Sequence, residues 1–192
     1  MNYTFDHDLF LWLNFDGGAF MDKFMVAVST PVVWSWLYVL LIAIIWRRRG
    51  WRSALLFVAL VAAAVGLTDL MAGIFKHSGP LKHLWESFPA RLRPMHTPEL
   101  EGLVHVIKQG GKYGTVSAHA ATMVSLAIPS IAIISRRWFS WLMIVAVVLI
   151  CYSRIYMAYH FPMDIVLGII TGAISGFVAL WLYRLISSKW SI

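Results

Sequence analysis

The stretch SRIYMAYHFPMD, Ser153–Asp164, lies between two long apolar runs and sets Arg154, His160 and Asp164 in a chain that otherwise avoids charge. Pro162 suits the first turn of a helix, where its missing N–H costs no internal bond. His160 then stands at the helix entrance, and Asp164 follows about one turn later. A carboxylate so placed accepts the imidazole N–H and fixes its tautomer, which leaves the other ring nitrogen as a nucleophile or base. Arg154 closes the preceding helix with a permanent charge suited to phosphate oxygens. Any one of these could be an interface residue whose polar end reaches water. The three together, with a second histidine on the same face, point to chemistry.

That second histidine is in GGKYGTVSAHAAT, Gly110–Thr122. Gly110, Gly111 and Gly114 permit close backbone approach. Ser117 can cap a helix whose free N–H groups suit an anion. Ala118 and His119 form its first turn. A cap explains Ser117 alone, and a helix-end histidine explains His119 alone. Lys112 reads as a solvated loop charge.

A third polar segment, KHSGPLKHLWESFPARLRP, carries Lys76, Lys82, Arg91, Arg93 and Pro94. Clustered cations there ask for an anionic ligand, although lipid headgroups or pairing with Glu86, Glu99 and Glu101 would also explain them. Asp69 lies inside an apolar run, where a charge costs about 2.5–3.5 kcal/mol on insertion scales. It is expected near the interface, paired with a cation rather than catalytic. His7, His77, His83, His96 and His105 match no zinc spacing and read as solvated loop residues. The single cysteine, Cys151, packs as a small hydrophobe.

The elements that must position these groups are membrane spans. Of 192 residues, 60% are hydrophobic and 13% charged, against roughly 25% charged in soluble domains. An all-α integral membrane protein follows, with one domain over residues 1–192. A span needs roughly 20 apolar residues. The runs 24–46 (kinked at Ser29–Pro31), 53–75, 117–134, 138–152 and 162–186 qualify or nearly do. Phe5–Phe20 is too short and too charged to cross and reads as an interfacial helix. The acidic start, MNYTFDHDLF, lacks the basic region of a signal peptide, so it is expected to be retained.

Orientation follows from basic loops. Arg47, Arg48, Arg49 and Arg52, then Arg136 and Arg137, then Arg184 and Lys189 fall on one side, without an acid among them. That side is expected to be cytoplasmic, which also accounts for the net charge of +7 without a nucleic-acid partner. The three polar segments share the opposite face. Trp46, Trp51, Trp138 and Trp190 flank the spans as interface anchors. Gly168, Gly172 and Gly176 repeat at four-residue intervals after Asp164, a stripe expected to pack within the monomer.

Ser153, Arg154, His160 and Asp164 fit S-R-x5-H-x3-D, and the chain thereby resembles the type 2 phosphatidic acid phosphatases, which share a catalytic core with vanadium haloperoxidases. A second family signature, P-S-G-H, is similar to Val116-Ser117-Ala118-His119, with Pro and Gly replaced. The end of the first, K-x6-R-P, resembles Arg93-Pro94. Lys76 stands where its lysine is expected but farther from Arg93 than the usual spacing, and Lys82 is nearer yet still distant. A local insertion after Lys76 accounts for the difference.

The resemblance implies a bacterial inner-membrane enzyme that hydrolyses a lipid phosphate monoester or diphosphate at the outer face. Undecaprenyl pyrophosphate, phosphatidylglycerophosphate, phosphatidate and a lipid A phosphate are all open as substrates. It implies His160 as nucleophile forming a phosphohistidine, Asp164 as its orienting partner and His119 as general acid. Arg154, Arg93, Lys76, Ser117 and the Ala118 backbone would hold the phosphoryl oxygens, with no metal or other cofactor in the scheme. A lipid phosphotransferase would use the same phosphoenzyme. A transporter or headgroup-binding protein would explain the spans and cations but not two histidines at helix ends.

Overall fold

The computed structural model describes residues 4–74 and 91–190. Lys76 and Lys82, with His77, His83 and Glu86, lie outside the described residues. Among the described residues the regular elements are helices: α1 (Thr4–Leu13), α2 (Gly18–Ser29), α3 (Ser35–Arg49), α4 (Trp51–Ile74), α5 (Ala118–Ile134), α6 (Arg137–Tyr156) and α7 (Pro162–Trp190), with short 3-10 turns at Pro31–Trp34, Pro94–His96 and Pro98–Leu100. Among the described residues four segments are long and apolar enough to cross a membrane: Pro31–Arg49, α4, α6 and α7. Helix α5 is a shorter apolar helix of 17 residues, so it meets the third expected run, 117–134, without the length of a full span.

Two sequence expectations are corrected at the N-terminus. The interfacial helix ends at Leu13 rather than near Phe20, because Asn14 leaves the helix to bind elsewhere. Its amide donates to the carbonyls of Tyr156 (2.7 Å) and Ile155 (3.3 Å), at the end of α6. The kink at Ser29–Pro31 is a full break. Thr30 takes an extended ψ of 119°, as a residue before proline prefers, and a 3-10 turn follows before α3. Helix α3 then stops at Gly50, whose φ of +84° is open to glycine at no steric cost.

Helix α5 is the centre of the fold, with eleven buried residues along its length and α4, α6 and α7 against it. The apolar residues that stay exposed, such as Leu70, Val148, Ile174, Phe177 and Trp181, are on the outer helices. That is the distribution a bilayer tolerates and water does not. The glycine stripe explains the tight α5–α7 seam. A Cβ at Gly168 would stand 2.6 Å from the Ser117 carbonyl oxygen, and one at Gly176 3.1 Å from Ser125 Cα. The stripe packs within the monomer, as expected, and it fixes the start of α7 against the start of α5.

The turn from α6 to α7 places the quoted motif. Tyr159 N–H donates to the Arg154 carbonyl (3.0 Å) and Ala158 N–H to that of Ile155 (2.9 Å). This is a Schellman ending, which normally has glycine at the left-handed position. Here Ala158 fills it at φ +56°, a strain of roughly 1–2 kcal/mol for a residue with a Cβ. Pro162 then opens α7, and the Asp164 carboxylate accepts from the Phe161 N–H at 3.0 Å, which is one half of a capping box.

Candidate active site

Asp164 is wholly buried and its carboxylate serves three groups. Oδ2 takes the Phe161 N–H and faces His160 Nδ1 at 3.4 Å. Oδ1 accepts from Arg91 Nη1 at 3.0 Å. The other Arg91 nitrogen, Nη2, pairs with Asp6 of α1, and Asp6 Oδ1 in turn accepts the Met163 N–H at 3.0 Å. Arg91 also lies over the Phe161 ring at 4.2 Å, and His7 stacks on the same ring at 4.8 Å. A carboxylate–guanidinium–carboxylate chain therefore runs from α1 to the base of His160. The ring itself is buried and approaches Gly114 so closely that a Cβ there would stand 3.2 Å from His160 Cε1.

Ser117 caps α5, its Oγ accepting the Ala120 N–H at 3.4 Å, and its own N–H donates to the Asp164 carbonyl at 3.1 Å. The N–H groups of Ala118 and His119 have no hydrogen-bond partner among the described residues, as befits a helix start that can receive an anion. The His119 ring bonds the backbone of Ser29 and lies within electrostatic reach of Arg154, His160 and Arg93. The two histidines, from two separate segments, are thus brought together with two arginines.

Arg154 is buried, bonds Ser29 Oγ through Nη1, and its Nε has no hydrogen-bond partner among the described residues. A buried, unsatisfied guanidinium N–H costs free energy unless a ligand meets it. Arg93 donates from Nε to the Tyr113 carbonyl at 3.2 Å. Both guanidiniums lie over the Tyr159 ring, at 5.4 Å for Arg93 and 4.3 Å for Arg154. Burial pulls the Arg93 pKa below its usual value, with Tyr159 and Asp164 opposing, so an anion beside it would restore what burial removes. The Arg93 segment is tied to the glycine loop by Arg93 N–H to the Lys112 carbonyl and Gly114 N–H to the Arg91 carbonyl, each 3.0 Å.

These cations line a cavity of about 320 Å³ with Lys108, Gly110, Ser29 and Tyr159. Lys108 was not anticipated, since it stands outside all three motifs. Arg91 was anticipated only as a ligand-seeking cation, and the structure gives it to two carboxylates instead. Asp6 and Ser29 carry no signal in the sequence beyond an acid near the start and a hydroxyl before a helix-breaking Thr-Pro. The alternative pairing of Glu99 and Glu101 with the cations is not seen among the described residues. Among the described residues the ion pairs go to Asp6, Asp22 and Asp164.

The histidines read as solvated are also corrected. His105 Nε2 bonds Asp22 at 2.9 Å, His96 Nε2 bonds the Gly110 carbonyl at 3.0 Å, and His7 stacks as described. Asp16, Asp22 and His105 stand close enough to share a metal ion. Asp22 is nonetheless already engaged by His105 and by the Tyr156 hydroxyl at 2.7 Å.

Residues 57–188 match the PAP2 superfamily. A lipid A 4'-phosphatase of Bacteroides thetaiotaomicron is 32% identical over 96% of this chain and 77% of its own length. An undecaprenyl-diphosphatase of Sulfolobus acidocaldarius is 25% identical over 93% of this chain and 78% of its own. Among solved structures, a transmembrane PAP2-type phosphatidylglycerolphosphate phosphatase from Bacillus subtilis superposes with a TM-score of 0.69, at 16% identity, over 97% of this chain and 89% of that one. That likeness supports the fold, and the family match covers the stretch that contains both histidines. The chain is a multi-pass membrane protein that belongs to the PAP2 superfamily of phosphatases.

Proposed function

We propose that the protein is a lipid phosphatase that removes a phosphate monoester from an envelope lipid, with a phosphorylated lipid A the best-supported class. The observation that carries this reading is the convergence of His160, backed by Asp164, with His119 beside a cavity whose buried Arg154 lacks a partner for Nε. The substrate class is supported by the similarity to the Bacteroides lipid A 4'-phosphatase.

In this reading Asp164 holds the Nδ1 proton of His160, and Nε2 attacks phosphorus. The P–N bond forms as the P–O bond to the lipid breaks, and His119 gives its proton to the departing oxygen. Neutral His119 then takes a proton from water, whose oxygen attacks phosphorus and breaks the P–N bond. Inorganic phosphate leaves and His160 is regenerated. Arg93, Arg154, Lys108 and the Ala118 N–H hold the equatorial oxygens. Preorganised donors of this kind are usually the largest single contribution to catalysis, and general-acid help adds roughly 10²–10⁴. Ser117 acts through the cap it makes, and Lys76 would add a further charge from outside the described residues. The site opens on the outer face, opposite the basic loops, so that the lipid tail stays in the bilayer of the bacterial inner membrane.

The test is phosphate release by purified protein in detergent over a panel of lipid A, phosphatidylglycerophosphate, phosphatidate and undecaprenyl pyrophosphate, with and without chelator. Lipid A phosphate should be hydrolysed fastest, and chelator should leave the rate unchanged. Loss of the rate with chelator would overturn the metal-independent scheme, and a faster rate on a diphosphate would overturn the substrate class.

A further inference from the structure

Two cavities meet at the α2–α3 break. The cationic one has been described. The second, of about 250 Å³, is lined by His119, Asp69, Trp34, Tyr38, Thr122 and Met123, among others. Ser29 and Pro31 line both, so the two spaces adjoin across that break. The phosphoryl group belongs with the guanidiniums of the first. The departing oxygen must face His119, so whatever it is attached to extends into the second.

Most of that second lining is apolar, which suits a group attached to a lipid. Asp69 is the one carboxylate in that lining. It stands in α4, little more than one turn before the helix ends at Ile74. It is itself exposed, at the open edge of the cavity, like its lipid-facing neighbours Leu67 and Leu70. Among the described residues no hydrogen bond or ion pair engages its carboxylate, contrary to the pairing expected from the sequence. An ionisable group in a spanning helix is costly and marks a functional site by default. A carboxylate at this place accepts hydrogen bonds from hydroxyl groups and repels a second phosphate.

We propose that Asp69 makes this cavity a leaving-group subsite for an uncharged, hydroxyl-bearing group such as a sugar, and sets it against diphosphates. In a diphosphate the departing group is itself a phosphate, whose charge would be brought toward Asp69. Discrimination of this sort rests on repelling the wrong ligand as much as on attracting the right one. The inference rests on the reading of His119 and His160 as the reaction centre.

The experiment compares farnesyl phosphate with farnesyl diphosphate, which share a tail and differ in the charge of the departing group. The ratio of kcat/KM for the two is measured in the full chain in detergent. Asp69→Asn should shift the ratio toward the diphosphate by about tenfold, which corresponds to about 1.4 kcal/mol. Asp69→Glu, which keeps the charge, should hold the ratio of the unaltered protein. The ratio is taken within one preparation, so the folded fraction cancels. An unmoved ratio in Asp69→Asn, or an equal shift in Asp69→Glu, would overturn the subsite. Equal phosphate release by the unaltered protein and His160→Ala would overturn the reaction centre itself, and it is read without reference to Asp69.

Discussion

His160 and His119 lie within electrostatic reach of each other but are held in opposite ways. His160 sits on a turn fixed by the Schellman bonds of α6, by the Asp164 cap and by the Arg91–Asp6 chain that ties α1 to α7. His119 has one backbone bond to Ser29 and otherwise borders an apolar cavity. The contrast fits the two different tasks proposed for them. A nucleophile must present one nitrogen along one line, so its tautomer and direction are specified by neighbours. A general acid must reach an oxygen whose attached group varies, so room beside it matters more than bonds behind it.

The largest effects should separate the two tasks. His160→Ala should lose at least about 10³ in rate on any phosphate ester, since the nucleophile is gone whatever leaves. His119→Ala should lose roughly 10²–10⁴ on an alkyl phosphate, but far less on p-nitrophenyl phosphate, whose departing oxygen needs no proton. Rates on both esters for both variants make the check, and equal losses in His119→Ala on the two esters would remove its assignment as acid.

Next is the seam that sets the histidines against each other. A Cβ at Gly168 would stand 2.6 Å from the Ser117 oxygen and 3.0 Å from Ala120 Cβ, so Gly168→Ala must part α5 from α7 beside both motifs. A misplacement of about 1 Å can cost on the order of 10² in rate. At Gly66 a Cβ meets nothing within 4 Å, so Gly66→Ala should leave the rate alone and raise stability by up to about 1 kcal/mol. Thermal unfolding and kcat of the pair decide whether the seam acts through geometry.

The scaffold was readable where apolar length and helix punctuation carry the information. Pro162, Ser117 and the glycine stripe each mark a boundary or contact through local stereochemistry, so their places followed from the chain itself. The Arg91–Asp6 chain was not readable, because it joins residues 85 apart and nothing local distinguishes a carboxylate that caps another helix from a solvated one. The same holds for His105 with Asp22 and for Lys108 in the cationic cavity. The motif at Ser153–Asp164 was legible because its three polar groups lie within one turn-and-helix junction, where spacing alone sets distance.

Smaller effects should come from the supports of His160. Arg91→Ala leaves the buried Asp164 carboxylate without its charged partner. A charged hydrogen bond is worth about 1.5–3 kcal/mol, so kcat should drop roughly ten- to a hundredfold, and Asp6→Asn should do the same more weakly. The pH profile of kcat should shift with both, which mere loosening of the fold would not produce.

The smallest effect lies at the Asp22–His105 tether. His105 donates to Asp22, chiefly through that hydrogen bond, and holds the carboxyl below its usual value of 3.8, with Tyr156 adding to it and desolvation opposing. A depressed carboxyl contributes stability that is fully present above its ordinary value and is lost as pH falls through the lowered one. Melting in acid should therefore show a small loss confined to pH below about 4 in the unaltered protein and absent in Asp22→Asn.

The central claim is that phosphate passes through His160 rather than straight to water. The stereochemical course at phosphorus tests it most directly, using a lipid phosphate monoester made chiral with three oxygen isotopes and methanol as the acceptor. Two in-line displacements, first on the lipid ester and then on the phosphohistidine, predict net retention in the methyl phosphate formed. Net inversion would show a single direct displacement and contradict the account.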